Sequence, residues 1–173
     1  MTTASLQTVF ETYEVIKDTI RVTARSIHQE THALHSRTVF VAERKDDAVE
    51  RLRDVSDEFD EVMVLSLVAS FERELRDALK EAVGSNLHRP NSTIERLYGA
   101  TVESIDRWTV PDMLDLFVDV VPGTLRGQIK QLYEYRNWVA HGKNPQKLPS
   151  AKADPKTAYR TLQSFVALVG SVV

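Results

Sequence analysis

The hydrophobic residues of this chain recur at intervals of three, four and seven positions, and few stretches show the alternation typical of strands. In residues 5–36 a heptad-like spacing predicts one long helix that packs lengthwise on another helix. The β-branched run at 38–41 indicates a break. The positions that form this seam are Leu6, Tyr13, Ile20, Ile27, Leu34 and Val41.

The middle of the chain carries the most apolar pattern. Residues 43–60 are charged but keep a helical stripe, and residues 62–83 have two apolar stripes, which predicts a helix buried on most sides. Gly84 is expected to end that helix as its C′ residue. The first stripe contains Val64, Val68, Phe71, Leu75, Ala78 and Ala82, and the second contains Val62, Leu65, Ala69 and Leu79.

Start and stop signals predict four further helices after a loop at 86–91. Ser92 and Glu95 form a capping-box pattern, and Thr124 is expected to cap a helix over 125–140. Asp154 followed by Pro155 is typical of a helix start. The predicted helices cover about 92–108, 110–121, 125–140 and the region from 155, whose buried face is Ala158, Leu162, Phe165, Val166 and Val169. The fold class is therefore all-α.

Length and composition narrow the class of protein further. A chain of 173 residues suits one domain with or without a helical extension. The absence of cysteine excludes a disulfide framework, a thiolate metal site and a cysteine nucleophile. The N-terminus lacks a signal-peptide pattern, and the longest apolar run, at 62–71, is about half of a bilayer span. We therefore expect a cytoplasmic protein that does not engage a membrane.

One arginine breaks the apolar pattern of the helix at 125–140. Arg136 falls on the stripe of that helix, seven residues after Ile129. An unpaired buried charge costs several kcal/mol, so this arginine needs a partner or a function. His141 follows five residues later, at the helix end before Gly142. The Arg-x4-His spacing alone is a weak signal, but the apolar stripe and the helix end make it stronger.

The run Arg136-Asn137-Trp138-Val139-Ala140-His141-Gly142 resembles the Arg-x4–6-His motif of the HEPN superfamily (higher eukaryote and prokaryote nucleotide-binding domains). In that family a polar residue commonly follows the arginine and glycine often follows the histidine. An earlier helix commonly combines an apolar run with an acidic residue, and residues 64–72, which end at Glu72, look like that helix. The resemblance covers roughly residues 58–173.

The resemblance implies an up-and-down helical bundle, and we expect this bundle to span residues 44–173. Residues 1–43 lie outside the resemblance, and we expect them to form a long N-terminal helical extension within a single structural unit. It also implies a homodimer in which two motifs face one cleft. The implied activity is that of a metal-independent endoribonuclease without a cofactor, of the kind found in toxin–antitoxin, abortive-infection and other phage-defence systems. RNA and an antitoxin or other regulatory protein are the expected partners.

Physical chemistry supports catalytic roles for Arg136 and His141. A neutral histidine can accept the proton of a ribose 2′-hydroxyl, and an arginine can hold the scissile phosphate and stabilise its growing charge. The product would be a 2′,3′-cyclic phosphate. Asn137 is expected to orient the site; the alternative is that it caps the helix and faces solvent. Glu72 is either a surface acid or the partner of Arg136.

One family variant is not matched. A HEPN subgroup carries tyrosine two residues after the histidine as a site of adenylylation, and this chain has Lys143 there. We therefore expect no neutralisation by adenylylation and assign Lys143 to phosphate contact.

The charge distribution favours an RNA-binding cleft rather than a protein that coats RNA. The formal net charge is −3, yet residues 123–160 hold eight basic and two acidic residues. A phosphate backbone would dock at such a segment, and Arg126 and Lys130 are further candidate RNA contacts. A solvated helix face would give the same count.

Other interpretations remain at this stage. A catalytically inactive HEPN-like binding module would keep the fold without the chemistry, and an interaction protein would act through the N-terminal seam. His28, His32 and His35 lie near one face of the predicted first helix, and the first two could chelate a metal, but nothing completes the ligand set. Trp108 and Trp138 are expected to pack, although Trp138 could also stack on a base.

Overall fold

The computed structural model describes residues 4–85 and 92–170, and all regular structure in these ranges is helical, which confirms the all-α class. A short 3-10 helix, Val39–Ala42, precedes the longest helix. The α-helices are α1 (Ala4–His28), α2 (His32–His35), α3 (Lys45–Ser85), α4 (Ser92–Ile105), α5 (Val110–Asp115), α6 (Gly123–Ala140) and α7 (Pro155–Val169).

Four of these helices, α1, α3, α6 and α7, pack side by side in alternating directions. Arg73 Nη2 donates to Ser5 Oγ at 2.9 Å, whereas Lys45 Nζ donates to the His28 carbonyl at 2.9 Å, so α1 and α3 are antiparallel. The rings of Phe10 and Tyr159 stack at 4.1 Å and join α1 to α7. The helix α3 also packs against α6, and α4 and α5 lie beside it.

The main core lies where α3 and α7 meet. The ring of Phe165 makes edge-to-face contacts with Phe71 at 5.3 Å and with Phe117 at 5.4 Å. Such aromatic pairs add about 0.5–1.5 kcal/mol each beyond their area burial. The α7 face predicted from the sequence is buried as expected, at Ala158, Leu162, Phe165, Val166 and Val169.

The N-terminal seam is shorter than the heptad spacing predicts. Tyr13 and Ile27 are buried against α3, but Leu34 and Val41 are exposed. The prediction of one helix to residue 36 is wrong because α1 ends at His28 and Glu30 adopts a left-handed backbone with φ 53°. After that turn the spacing of seven no longer places residues on one face.

The helix α3 is longer and less enclosed than predicted. It continues without a break from Lys45 to Ser85, so Gly84 lies inside the helix and the prediction that it ends the helix is wrong. The first apolar stripe is buried from Val64 to Ala78 and half-buried at Ala82, but Val62 and Ala69 of the second stripe are exposed. The neighbouring elements cover the face of α3 that contains Leu67, Phe71 and Leu75. The N-terminal part of α3 instead packs Ala48 and Leu52 against Ile27 in a separate small core.

Helix starts are predicted better than helix ends. Asp154 caps α7 by accepting from the backbone N–H groups of Lys156 and Thr157, as expected. The helix α4 stops at Ile105 and α5 at Asp115, earlier than predicted. The helix α6 begins at Gly123, so the prediction that Thr124 caps it is wrong. The predicted loop at 86–91 and the side chain of Ser92 lie outside the described residues.

Candidate functional site

The C-terminal end of α6 forms a tight cap that presents His141. The backbone N–H of Gly142 donates to the Val139 carbonyl at 3.1 Å, and that of Lys143 donates to the Trp138 carbonyl at 2.9 Å. This pair of bonds is a Schellman cap, which needs a left-handed residue after the helix, and Gly142 supplies it with φ 81°. The side chain of His141 is exposed at the helix end.

Lys143, the residue after Gly142, connects this cap to α3 through ion pairs. The ammonium group of Lys143 lies 2.9 Å from Glu58 Oε2 and also pairs with Glu61. These two carboxylates raise the pKa of Lys143 above its usual value. Lys143 also adopts a left-handed backbone with φ 58°, which is uncommon for a residue with a Cβ atom. Its ion pairs with α3 offset this strain and hold the position of the residues before it.

Arg136, in the C-terminal part of α6, lies between two polar partners. Its Nη1 donates to Asn137 Oδ1 at 2.9 Å, and its Nη2 lies 3.8 Å from Glu72 Oε2. The arginine side chain is 29% exposed, so the expected burial is only partial. Glu72 also pairs with Arg76 at 2.7 Å. The carboxylate therefore holds two guanidinium groups, and Arg136 keeps an exposed part available for an anion.

Arg136 and His141 share the C-terminal part of α6 but occupy different sides of it. Five residues of α-helix correspond to a rise of about 7.5 Å and a rotation of roughly 140°. Arg136 is directed toward Glu72 on α3, whereas His141 occupies the exposed helix end. Within a single chain, His141, the proposed base, and Arg136, the proposed phosphate contact, therefore lie apart.

Arg126 and Lys130 lie toward the opposite end of α6. Both pair with Asp115 Oδ1, at 3.3 Å and 2.8 Å, and Arg126 Nε also donates to the Val121 carbonyl. Arg126 precedes Arg136 by about 15 Å of helix. The structure therefore does not bring these two candidate RNA contacts together with Arg136 and His141.

The positive charge of residues 123–160 is divided into paired and unpaired groups. Arg126, Lys130, Arg136 and Lys143 all have carboxylate partners. The other four basic residues of this segment make no ion pair with any residue in the described ranges 4–85 and 92–170: Lys147, Lys152, Lys156 and Arg160. The cations without carboxylate partners therefore belong to the loop after α6 and to α7, rather than to α6 itself.

Two of the histidines near the N-terminus, His28 and His35, do not share a helix face. His28 ends α1 and is exposed, whereas His35 belongs to α2 and is buried, with Nε2 3.2 Å from Ser26 Oγ. The prediction of a common face is wrong because the chain turns at Glu30. Across the part of the chain that the structure describes, no group of three or more histidine, aspartate or glutamate side chains could hold a metal ion.

Both tryptophans pack against the main core, as predicted. Trp138 also donates from Nε1 to the Asn144 carbonyl at 2.9 Å, which holds the start of the loop after α6. The sequence interpretation missed Tyr135, which is 1% exposed. Its position three residues after Leu132 continues the apolar periodicity and could have identified it.

No family model matches the chain, and neither the comparison with curated proteins nor the comparison with solved structures gave a match. Among the described residues, no helix has the length and apolar character that a bilayer span requires.

Proposed function

We propose that this protein is a metal-independent endoribonuclease of the HEPN type that acts as a symmetric dimer in the cytoplasm. The observation that carries the proposal is the arrangement at the end of α6. There Asn137 and Glu72 hold a half-exposed Arg136, and the cap formed by Gly142 presents His141 to solvent. A constrained arginine and an exposed histidine are enough for intramolecular RNA transesterification, because they supply phosphate stabilisation and proton transfer.

His141 and Arg136 have complementary roles in the proposed reaction. The imidazole of His141 accepts the proton of the ribose 2′-hydroxyl as the 2′-oxygen attacks phosphorus. The bond from phosphorus to the 5′-oxygen then breaks, and a protonated histidine returns a proton to that leaving oxygen. Arg136 neutralises the charge that develops on the non-bridging phosphate oxygens. The products are a 2′,3′-cyclic phosphate and a 5′-hydroxyl. The proposed reaction needs neither an oxidant nor a metal.

A dimer supports this chemistry because Arg136 and His141 of the same chain lie on different sides of α6. In a symmetric dimer whose axis passes near the ends of the two α6 helices, His141 of one chain would face Arg136 of the second chain. The chain mass is 19.6 kDa, and sedimentation equilibrium at the concentrations that cleave RNA should give twice that mass. Cleavage by a monomer would overturn the two-chain cleft.

The biological setting of the proposal is a toxin–antitoxin or antiviral defence system. An unregulated ribonuclease harms its own cell, so an antitoxin or other regulatory protein is the expected partner. Lys143 lies at the position where a related subgroup has the modified tyrosine, and its ammonium group is held by Glu58 and Glu61. Regulation therefore proceeds by binding rather than by modification of that position.

One observation favours a second candidate, a HEPN-like binding module without catalysis. Arg126, Lys130 and Lys143 are neutralised by carboxylates of the same chain, so an RNA phosphate would have to compete with Asp115, Glu58 and Glu61. Under this alternative, partner binding survives His141→Ala, and no RNA is cleaved by the wild type.

The experiment that tests the proposal compares matched variants on labelled single-stranded RNA. We expect Arg136→Ala and His141→Ala to lower the cleavage rate at least about 100-fold, since general base catalysis alone contributes about 10²–10⁴. The controls are Arg25→Ala and His28→Ala, which change exposed residues in the last turn of α1. Circular dichroism confirms that each variant is folded. Equal activity of His141→Ala and His28→Ala would refute the catalytic role of His141.

A further inference from the structure

The loop after α6 folds back over that helix and forms a groove beside the candidate site. Three contacts hold it in place: Trp138 Nε1 donates to the Asn144 carbonyl, and both the backbone N–H and the hydroxyl of Ser150 donate to Glu134 Oε2. The groove has a volume of about 280 Å³ and is lined by Glu61, Tyr135, Trp138, Leu148, Pro149 and Lys152.

The walls of the groove are suited to a flat ring. Trp138 supplies an aromatic surface, with its ring centroid 5.9 Å from that of Tyr135. On the loop side, Leu148 is 70% exposed even though the loop around it is fixed by hydrogen bonds. Aromatic and apolar walls of this kind accept a base by stacking. The volume is slightly below the range of about 300–1,000 Å³ typical of small-molecule sites, which suits a single nucleotide.

Tyr135, one of the residues that line the groove, carries a buried polar group without a partner in the described part of the chain. Tyr135 is 1% exposed, and its hydroxyl has no hydrogen-bond partner among the described residues. A buried hydroxyl without a partner destabilises the fold, so such a group beside a groove indicates a ligand atom that completes its hydrogen bonding. Burial raises the pKa of the Tyr135 phenol, and the negative charge of the nearby Glu61 raises it further, whereas Lys143 lowers it. The hydroxyl therefore remains protonated at neutral pH and can donate to a carbonyl oxygen or a ring nitrogen.

The rim of the groove carries a cation. Lys152 lines the groove and forms no ion pair within the described ranges. This distinguishes it from Lys143, whose ammonium is held by two carboxylates. An unpaired lysine beside an aromatic wall is a suitable contact for a phosphate that is attached to a stacked ring.

We propose that this groove binds one nucleotide, with its base between Trp138 and Leu148, a polar edge of the base on the Tyr135 hydroxyl, and its phosphate on Lys152. Trp138 precedes His141 by three residues, so the groove lies next to the proposed catalytic group. As a subsite of an RNA substrate, the inference rests on the proposed ribonuclease function. The binding of a nucleotide itself does not depend on that function.

The test uses the fluorescence of Trp138. The chain has two tryptophans, so a Trp108→Phe background leaves Trp138 as the single indole reporter. His141→Ala in that background prevents cleavage during the titration. We expect the four ribonucleoside monophosphates to change the emission saturably and with different affinities, because the Tyr135 hydroxyl distinguishes base edges. Ribose 5-phosphate, which lacks a base, should bind at least about fivefold more weakly, since stacking of one base contributes about 1–3 kcal/mol.

Three variants assign the contacts. Lys152→Gln should weaken nucleotides at least about threefold and leave the matching nucleosides unchanged. Tyr135→Phe keeps the ring and removes only the unpartnered hydroxyl, so it should fold normally and weaken the preferred nucleotide at least about threefold. Lys147→Gln changes another unpaired lysine of the same loop that does not line the groove, and it should have no effect.

The outcomes separate this inference from the proposed ribonuclease function. Absence of a saturable response at millimolar nucleotide, equal binding of ribose 5-phosphate, or equal weakening by Lys147→Gln would overturn the groove inference, whatever the cleavage assay shows. Saturable nucleotide binding by a protein that cleaves no RNA would refute the ribonuclease proposal but support the inference that the groove binds a nucleotide. A 2′-O-methyl RNA oligonucleotide should compete with the mononucleotide. A lack of competition would assign the groove to a free nucleotide and overturn its placement as a substrate subsite.

Discussion

Glu72 Oε2 lies 3.8 Å from Arg136 Nη2, and this contact joins α3 to the helix that carries His141. The same carboxylate pairs with Arg76 at 2.7 Å, and Arg76 in turn donates to the Trp108 carbonyl. Glu72 therefore fixes the guanidinium of Arg136 as part of a network that includes the segment between α4 and α5.

Removing the charge of Glu72 tests this network. Glu72 is 15% exposed, and both arginines that it pairs with are less than one-third exposed. We expect Glu72→Gln to lower the free energy of unfolding by about 1–3 kcal/mol, because two partly buried guanidinium groups lose their carboxylate. Urea denaturation measures the change. Glu50→Gln, at an exposed position of α3, should change stability by less than about 0.5 kcal/mol. Equal effects of the two substitutions would contradict the network.

Two glycines of the same region should respond in opposite ways to alanine. Gly142 has φ 81°, and an added Cβ would meet no atom within 4 Å, so the cost of Gly142→Ala is purely conformational. We expect a loss of about 1–2 kcal/mol. Gly127 lies inside α6, also without neighbours for a Cβ, and Gly127→Ala should stabilise by about 0.5–1 kcal/mol.

The functional consequence of these glycine substitutions differs as well. Gly142→Ala disturbs the cap that presents His141, so RNA cleavage should fall, whereas Gly127→Ala should leave cleavage unchanged. The rates are compared at a temperature where both variants are fully folded. A Gly142→Ala variant with normal stability would show that the cap does not depend on the left-handed glycine.

The α1–α3 pair should make stability depend on pH in alkaline solution. Burial, and then the neighbouring Asp60, raise the pKa of Tyr13 from 10.0 to about 12. A group whose folded pKa is raised contributes stability that is complete below its unfolded pKa. This contribution is therefore present below about pH 10 and is lost as the pH rises toward 12.

The phenylalanine variant isolates this contribution. The raised pKa corresponds to at most about 2–3 kcal/mol. Urea denaturation of the wild type at pH 9 and pH 11 should show a decrease in stability that is smaller in Tyr13→Phe. The difference between the two proteins removes the contributions of the other tyrosines and lysines. Identical pH dependence in both proteins would show that Tyr13 ionises as a solvated phenol.

The salt dependence of RNA binding tests the assignment of Arg126 and Lys130. A contact with a phosphate of single-stranded RNA contributes about 0.7 to the slope of log K against log salt. If both residues contact RNA despite their pairing with Asp115, the double variant Arg126→Gln/Lys130→Gln should lower that slope by about 1.4. A slope equal to that of the wild type would remove Arg126 and Lys130 from the interface.

The helix class and most helix starts could be predicted from the sequence because caps and apolar spacing are local signals. Asp154 caps α7 as predicted, α5 begins at the predicted Val110, and the buried face of α7 is the one that its spacing indicates. The end of α1 could not be predicted because a spacing of seven continues through Leu34, whereas the backbone turns at Glu30.

In the candidate site, too, local sequence patterns predict some features, whereas others depend on contacts between distant residues. Arg136 stood out because it interrupts an apolar stripe, and its need for a partner is met by Asn137 and Glu72. The pairing of Lys143 with Glu58 and Glu61 joins residues that are distant in sequence, and no local pattern indicates it. The groove beneath the loop after α6 likewise depends on how Trp138 and Ser150 hold that loop.

The central claim is that Arg136 and His141 cleave RNA without a metal. The most direct measurement is the analysis of product ends after wild-type protein is incubated with single-stranded RNA in excess chelator. We predict 2′,3′-cyclic phosphate and 5′-hydroxyl ends, and their loss in His141→Ala but not in His28→Ala. Intact RNA in every condition, cleavage that stops in the presence of the chelator, or the same products from His141→Ala would contradict the claim.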